Sequence, residues 1–258
     1  MAWLPAIVAF PFGLALGSFM TVVAERVPAG VSVVSPRSRC PRCGAEIANR
    51  DNIPLVGWIL LRGRCRSCGA RISARYPLLE LSSAVLFSGA FLVYDSVWVA
   101  LAVAFLLVLM PAIAVIDIEH RIIPNRLMYP ALIAFPAYLV VARLFGAPVD
   151  LVRMVAGFAL YGGALFVVAI VSRGMGMGDV KLAALIGVVL GSLGLGYVGV
   201  AAGAAIVLGG LGAVVALLLG RGRKAAIPFG PYLAAGAVVG AFWGASISAW
   251  YLRTFVGS

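Results

Sequence analysis

Charge is what this chain has least of. Of 258 residues only 11% are Asp, Glu, Lys or Arg, with nine acids and one histidine. Soluble domains carry about 25% charged residues, so a water-soluble globular enzyme is excluded. A disordered chain needs low hydrophobicity with high net charge, which a 63% apolar composition rules out. The 31 Gly and 14 Pro follow no G-X-Y period, which excludes a collagen-like chain. No soluble domain of ordinary size is left over. What is there is apolar throughout, with a mean hydropathy of +1.09. The class this defines is an integral membrane protein.

A run of about 20 apolar residues crosses the hydrocarbon layer as a helix. Eight such spans are predicted, at roughly 2–24, 77–94, 96–116, 127–145, 151–171, 180–194, 197–219 and 227–252. Gly187, Gly191, Gly194 and Gly196 blur the boundary between the sixth and the seventh. The first span is too long and too weakly basic at its start for a signal peptide and has no clear A-x-A site. Connections are short everywhere except 25–76. That loop holds ten of the 20 cations; Arg121, Arg126, Arg173, Lys181, Arg221, Arg223 and Lys224 fall in connections on the same side. Only Arg143, Arg153 and Arg253 lie opposite. The positive-inside rule therefore predicts a cytoplasmic loop 25–76 and both termini outside. A basic loop between spans reads as facing anionic lipid rather than nucleic acid.

All four cysteines sit in that loop, as CPRCG (Cys40, Cys43) and CRSCG (Cys65, Cys68). Two CxxC knuckles at this separation are the ligand pattern of a zinc ribbon, with Gly44 and Gly69 allowing the turns. A disulfide would need an oxidising compartment, which the predicted sidedness does not offer. Four thiolates leave zinc no open position, so the expected Zn2+ is structural and holds a loop poor in core residues. The apolar stretch between the knuckles, including Leu55, Trp58 and Leu60, is expected to pack on the ribbon or rest at the membrane interface.

Most acids read as solvated loop charges. Glu80 lies about one turn inside the second span, Asp117 and Glu119 close the third, and Asp179 opens the sixth after the glycines Gly174, Gly176 and Gly178. Ionisable groups at membrane depth are functional candidates. Asp117 and Asp179 both fall at cytoplasmic ends and can share one layer. Two carboxyls within hydrogen-bond reach share one proton, the chemistry of aspartyl proteolysis, in which one takes a proton from water and the other protonates the carbonyl oxygen. By spacing alone, transport and proton conduction stay open. Glu119 points about 100° from Asp117 on a helix and is the weaker acid. His120 reads as an interfacial side chain, and GMGMG lacks the preceding strand of a nucleotide loop. Small residues in GSLGLGYVG and AAGAA predict close helix packing.

Six segments in order then resemble the type IV prepilin peptidases: GSFMTVVAERVP, SRCPRCG, NIPLVGWILLRGRCRSCGARISARYPLLELSSA, DIEHRIIPNRL, GMGMGDVKL and IPFGPYLAAGA. The resemblance implies an aspartyl dyad of Asp117 and Asp179, zinc ligation by Cys40, Cys43, Cys65 and Cys68, and cleavage of the leader from type IV prepilins and pseudopilins at the cytoplasmic face of a bacterial inner membrane. It also implies methylation of the new N-terminus with S-adenosylmethionine. Gly176, Gly178, Glu80 and Lys181 are expected to support the site or meet substrate. Thr21 and Glu25 depart from the family's first-span pattern and bear on the methyltransferase rather than on the proteolytic acids. The expected fold is an all-α polytopic membrane protein of about eight transmembrane helices: a first helix at 1–24, a double-CxxC zinc-binding loop at 25–76 and a peptidase domain at 77–258. The rival reading is a transporter or channel with a zinc-ribbon regulatory loop; a partner-binding scaffold would leave both aspartates unexplained.

Overall fold

The computed structural model describes residues 3–172, 174–220 and 227–257. Four of the cations counted above, Arg173, Arg221, Arg223 and Lys224, lie outside them. Helices dominate, and no named strand occurs among the described residues.

The membrane helices are α1 (Trp3–Arg26), α3 (Arg75–Val93), α4 (Val97–His120), α5 (Asn125–Leu144), α6 (Leu151–Gly157), α7 (Gly163–Ser172), α8 (Met177–Leu193), α9 (Leu195–Leu218) and α10 (Gly230–Tyr251). A π-helical turn, Phe158–Gly162, joins α6 and α7 into one rod. The short helix α2 (Val56–Leu60) lies in the cysteine loop. Among the described residues seven rods are long and apolar enough to cross a bilayer. The remaining predicted span, the sixth at 180–194, is α8, whose 17 residues reach about 25 Å. It is short because it is the central helix. Twelve of its residues, among them Leu182, Leu185, Ile186 and Leu190, are buried by neighbouring helices. The α8–α9 boundary falls at Gly194, whose φ of +154° breaks the helix.

Short turns between rods enforce an up-and-down path, so alternate helix ends meet. One end carries 26, 75, 120, 125, 172, 177, 218 and 230. Side chains verify this register: Arg75 Nη1 donates to both carboxylate oxygens of Glu119, at 2.7 and 2.6 Å. Arg126 Nη1 reaches the Gly30 carbonyl at 3.3 Å. At the opposite end Asp150 caps α6 by accepting from the Val152 and Arg153 amides.

With lipid tails as apolar as leucine, helices associate through close packing, which small residues permit. A Cβ on Gly187 would overlap the Gly157 carbonyl oxygen where α6 crosses α8. Ala201 and Ala205 of the AAGAA run lie against Gly236 and Gly240 of α10. On α1, Gly13 and Gly17 meet Ala84 and Glu80 of α3. The expectation of close packing holds for AAGAA at the α9–α10 crossing and for Gly191 of GSLGLGYVG, which also meets Gly157.

Candidate active site and cysteine centre

Asp117 sits in the last turn of α4 and is 5% exposed. Its Oδ2 accepts a 2.8 Å hydrogen bond from the Gly230 amide. That amide is the first of α10, one of the orphan donors every helix N-terminus leaves, and the next residue, Pro231, has none. Any side chain at 230 would place a Cβ 2.6 Å from Asp117 Oδ2, so glycine is required for the approach.

Asp179 is the third residue of α8, half-buried, with its Oδ2 beside Gly176, where a Cβ would lie 3.6 Å away. It stands at the same end of the bundle as Asp117. Gly178 explains the approach: a Cβ on it would lie 2.8 Å from that of Ile123, six residues beyond Asp117. The glycine lets the start of α8 press against the chain leaving α4. Three helix ends, those of α4, α8 and α10, thus bring the two acids to one end of the bundle.

The supporting residues divide. Gly176 and Gly178 lie at the pair. Lys181, about 200° round α8 from Asp179, donates to Asn125 Oδ1 at 2.7 Å and the Tyr129 hydroxyl at 3.0 Å, its ammonium 4.5 Å from the Tyr129 ring centroid. It pins α8 to the start of α5. Glu80 is buried and accepts from the Leu55 amide at 2.8 Å, so it ties the cysteine loop to α3. Glu119 is engaged by Arg75, and exposed His120 stands 3.9 Å from it. Sequence reasoning missed Gly230. In FGP the proline marks only the start of a helix and carries no signal for which carboxylate the preceding amide meets.

The four cysteine sulfurs all lie within 4.8 Å of one another and form no disulfide. Cys40 Sγ and Cys68 Sγ are 3.9 Å apart; a tetrahedral site with 2.3 Å bonds has sulfur edges of about 3.8 Å. The donor set therefore fits a tetrahedral metal ion. The two knuckles are copies. Residues 39–47 and 64–72 both read R-C-x-x-C-G-A-x-I. The Cys40 and Cys65 amides bond to the Ala45 and Ala70 carbonyls, and the Gly44 and Gly69 amides to the Cys40 and Cys65 carbonyls. Gly44 and Gly69 have φ of +71° and +68°, as their turns require. The amides of Cys43 and Arg42 pull the Cys40 thiol down to about 6. Between the knuckles, Arg66 grips Asp51 with two bonds of 2.7 and 2.6 Å, holding its carboxyl below its ordinary value. Trp58 packs on the ribbon, its indole donating to the Ile72 carbonyl at 3.3 Å.

A bundle of membrane helices that gathers two acids at one end, beside a four-cysteine loop, defines a class: polytopic membrane proteins with a candidate aspartyl centre. Residues 12–94 match the model of the bacterial peptidase A24 N-terminal domain, and residues 104–221 that of the type IV leader peptidase family. Among relatives named prepilin leader peptidase/N-methyltransferase, the Bacillus subtilis protein is 36% identical over 255 residues, 96% of this chain and 98% of that one. The Aeromonas hydrophila protein is 32% identical over 99% of this chain and 97% of its own length. The Pseudomonas aeruginosa protein is 34% identical over 93% and 91%. The chain belongs to the type IV leader peptidase family. No solved structure matches it.

Proposed function

We propose that this protein is a membrane aspartyl endopeptidase that removes the leader of type IV prepilins and pseudopilins. The observation that carries the reading is the convergence of Asp117 and Asp179 at one end of the bundle, each brought in by a glycine that admits no side chain. One carboxylate takes a proton from water as its oxygen attacks the scissile amide carbon; the other, protonated, donates to the carbonyl oxygen and later helps the amine leave. Gly230 engages Asp117 Oδ2, which leaves Oδ1 the freer oxygen for water and the shared proton. A substrate helix held in the bilayer would present the start of its apolar stretch at this layer. The arginine-rich loop and the aspartates then face the cytoplasm of a bacterial inner membrane.

Cys40, Cys43, Cys65 and Cys68 would hold a structural zinc ion, which supplies loop order rather than reaction chemistry. In this division the first helix at 1–24 and the loop at 25–76 serve a peptidase domain at 77–258. The relatives' name includes N-methyltransferase, and we extend that activity to this chain, with S-adenosylmethionine as donor. Gly178, whose space Ile123 occupies, is not open to the donor. The transporter or channel reading is not favoured: it needs polar groups lining mid-span paths, whereas the buried acids here are Glu80 and Asp117 near one end.

Mass spectrometry of a candidate prepilin incubated with the protein in membranes tests both activities. Leader loss reports cleavage, and a further gain of one methyl group with S-adenosylmethionine reports methylation. Asp117→Asn and Asp179→Asn should each abolish leader loss while the protein stays folded; cleavage at the unaltered rate by either variant would sink the dyad.

A further inference from the structure

Between Arg26 and Arg75 ten arginines stand against two acids, Glu46 and Asp51, and both acids are already paired, with Arg37 and Arg66. The duplicated knuckles differ at one place that this imbalance exposes. In the first, Arg39 faces Glu46 across the bridge; in the equivalent bridge of the second, Arg64 faces Arg71. Directly opposed residues have their Cβ atoms about 5 Å apart, and like charges there repel. Both arginines are exposed, and among the described residues neither forms an ion pair. Such a pair is relieved by an anion placed between the two guanidinium groups.

A second, independent feature adjoins it. Helix α2 and the residue before its turn leave Ile53, Val56, Ile59 and Leu60 exposed by 48, 45, 62 and 73%. Their height is set by Glu80, whose carboxylate holds the Leu55 amide. Glu80 is the sixth residue of α3, about 7.5 Å along it, and helical side chains lean toward the N-terminus. Leu55 therefore lies level with the first turn of a membrane-spanning helix. Four apolar side chains at that depth, beside unpaired arginines, match the boundary between acyl chains and headgroups.

We propose that α2 and the second knuckle form an interfacial anchor: the apolar side chains of α2 enter the edge of the bilayer, and Arg64 and Arg71 together take the phosphate of an anionic phospholipid. The anchor would keep the cysteine loop lying on the membrane beside the α3 end of the bundle. The inference requires only that the chain spans a membrane, so it stands or falls separately from the peptidase reading.

The test is hydrogen–deuterium exchange of the full-length protein in nanodiscs of phosphatidylcholine alone and of phosphatidylcholine with phosphatidylglycerol. Amides of 53–64 should exchange more slowly in the anionic discs, and high salt should reverse the gain. Arg71→Glu restores the pairing of the first knuckle, so the fold is retained, as unchanged exchange over 40–47 would report. A cation near an anionic leaflet is worth about fivefold in such an equilibrium, so this variant should lose about fivefold of the protection or more. Ile59→Ser with Leu60→Ser should lower protection in both lipids. Equal exchange in the two lipids, an Arg71→Glu protein that behaves as the parent, protection by inorganic phosphate in detergent, or protection that appears only when a prepilin peptide is added would each overturn the anchor.

Discussion

Asp117 owes its setting to a residue with no side chain. The Gly230 amide fixes one carboxylate oxygen, and the space that makes this possible vanishes if a Cβ is added. Gly230→Ala must push Asp117 or the start of α10 aside. A displacement of about 1 Å at a reacting group costs on the order of 10²-fold in rate, so kcat for leader cleavage should fall by about that factor with KM little changed. Steady-state kinetics on a synthetic prepilin segment would measure it, and an unchanged kcat would remove Gly230 from the site. The two aspartates were legible in the sequence because acids are so few that each could be weighed. Gly230 was not, because its role arises from a contact 113 residues away, and no local pattern reports which carboxylate a free amide will meet. The same holds for Lys181, visible beside GxGD, whose partners Asn125 and Tyr129 only folding supplies.

At the scale of elements, the site depends on how closely α8 can pass its neighbours. Gly157 and Gly187 bring α6 and α8 into backbone contact, and Asp179 rides on the start of α8. Overpacking a tight interior costs about 1–3 kcal/mol; Gly187→Ala should destabilise the bundle by that amount and slow cleavage, read by unfolding in detergent alongside activity. The cysteine loop rests on another element pair. If its two knuckles hold zinc, purified protein should contain about one metal ion per chain, and Cys43→Ser should lose it together with amide protection through residues 39–47; a metal content far below one in the unaltered protein would dismiss the ribbon. Apolar run lengths, the long cysteine loop and the CxxC spacing were readable in advance. The helix α2 was expected only as an apolar patch, and the break between α8 and α9 was ambiguous among four glycines. Gly194 alone takes the positive φ that separates them.

For the molecule as a whole, the distribution of arginine predicts an orientation with the cysteine loop in the cytoplasm. Asp95 lies in the short turn between α3 and α4, at the end away from the cysteines. An Asp95→Cys protein should react with a membrane-impermeant maleimide in intact cells, whereas Cys43 and Cys68 should react only after the membrane is opened and the metal is chelated. The reverse pattern would invert the topology and remove the aspartates from the cytoplasmic face.

The scarcity of charge by itself determined that this chain lives in a membrane, how its rods alternate, and which acids are unusual enough to be chemistry. These follow from local or summed properties: apolar run length, cation counts, and the spacing of thiols on one short loop. Only tertiary structure decided that the Gly230 amide holds Asp117, that Glu80 holds the Leu55 amide of the cysteine loop, and that Gly178 yields its space to Ile123. Each of those is a meeting of residues distant in the chain, set by how closely helices pack, and the free energy of such packing is written in no single segment.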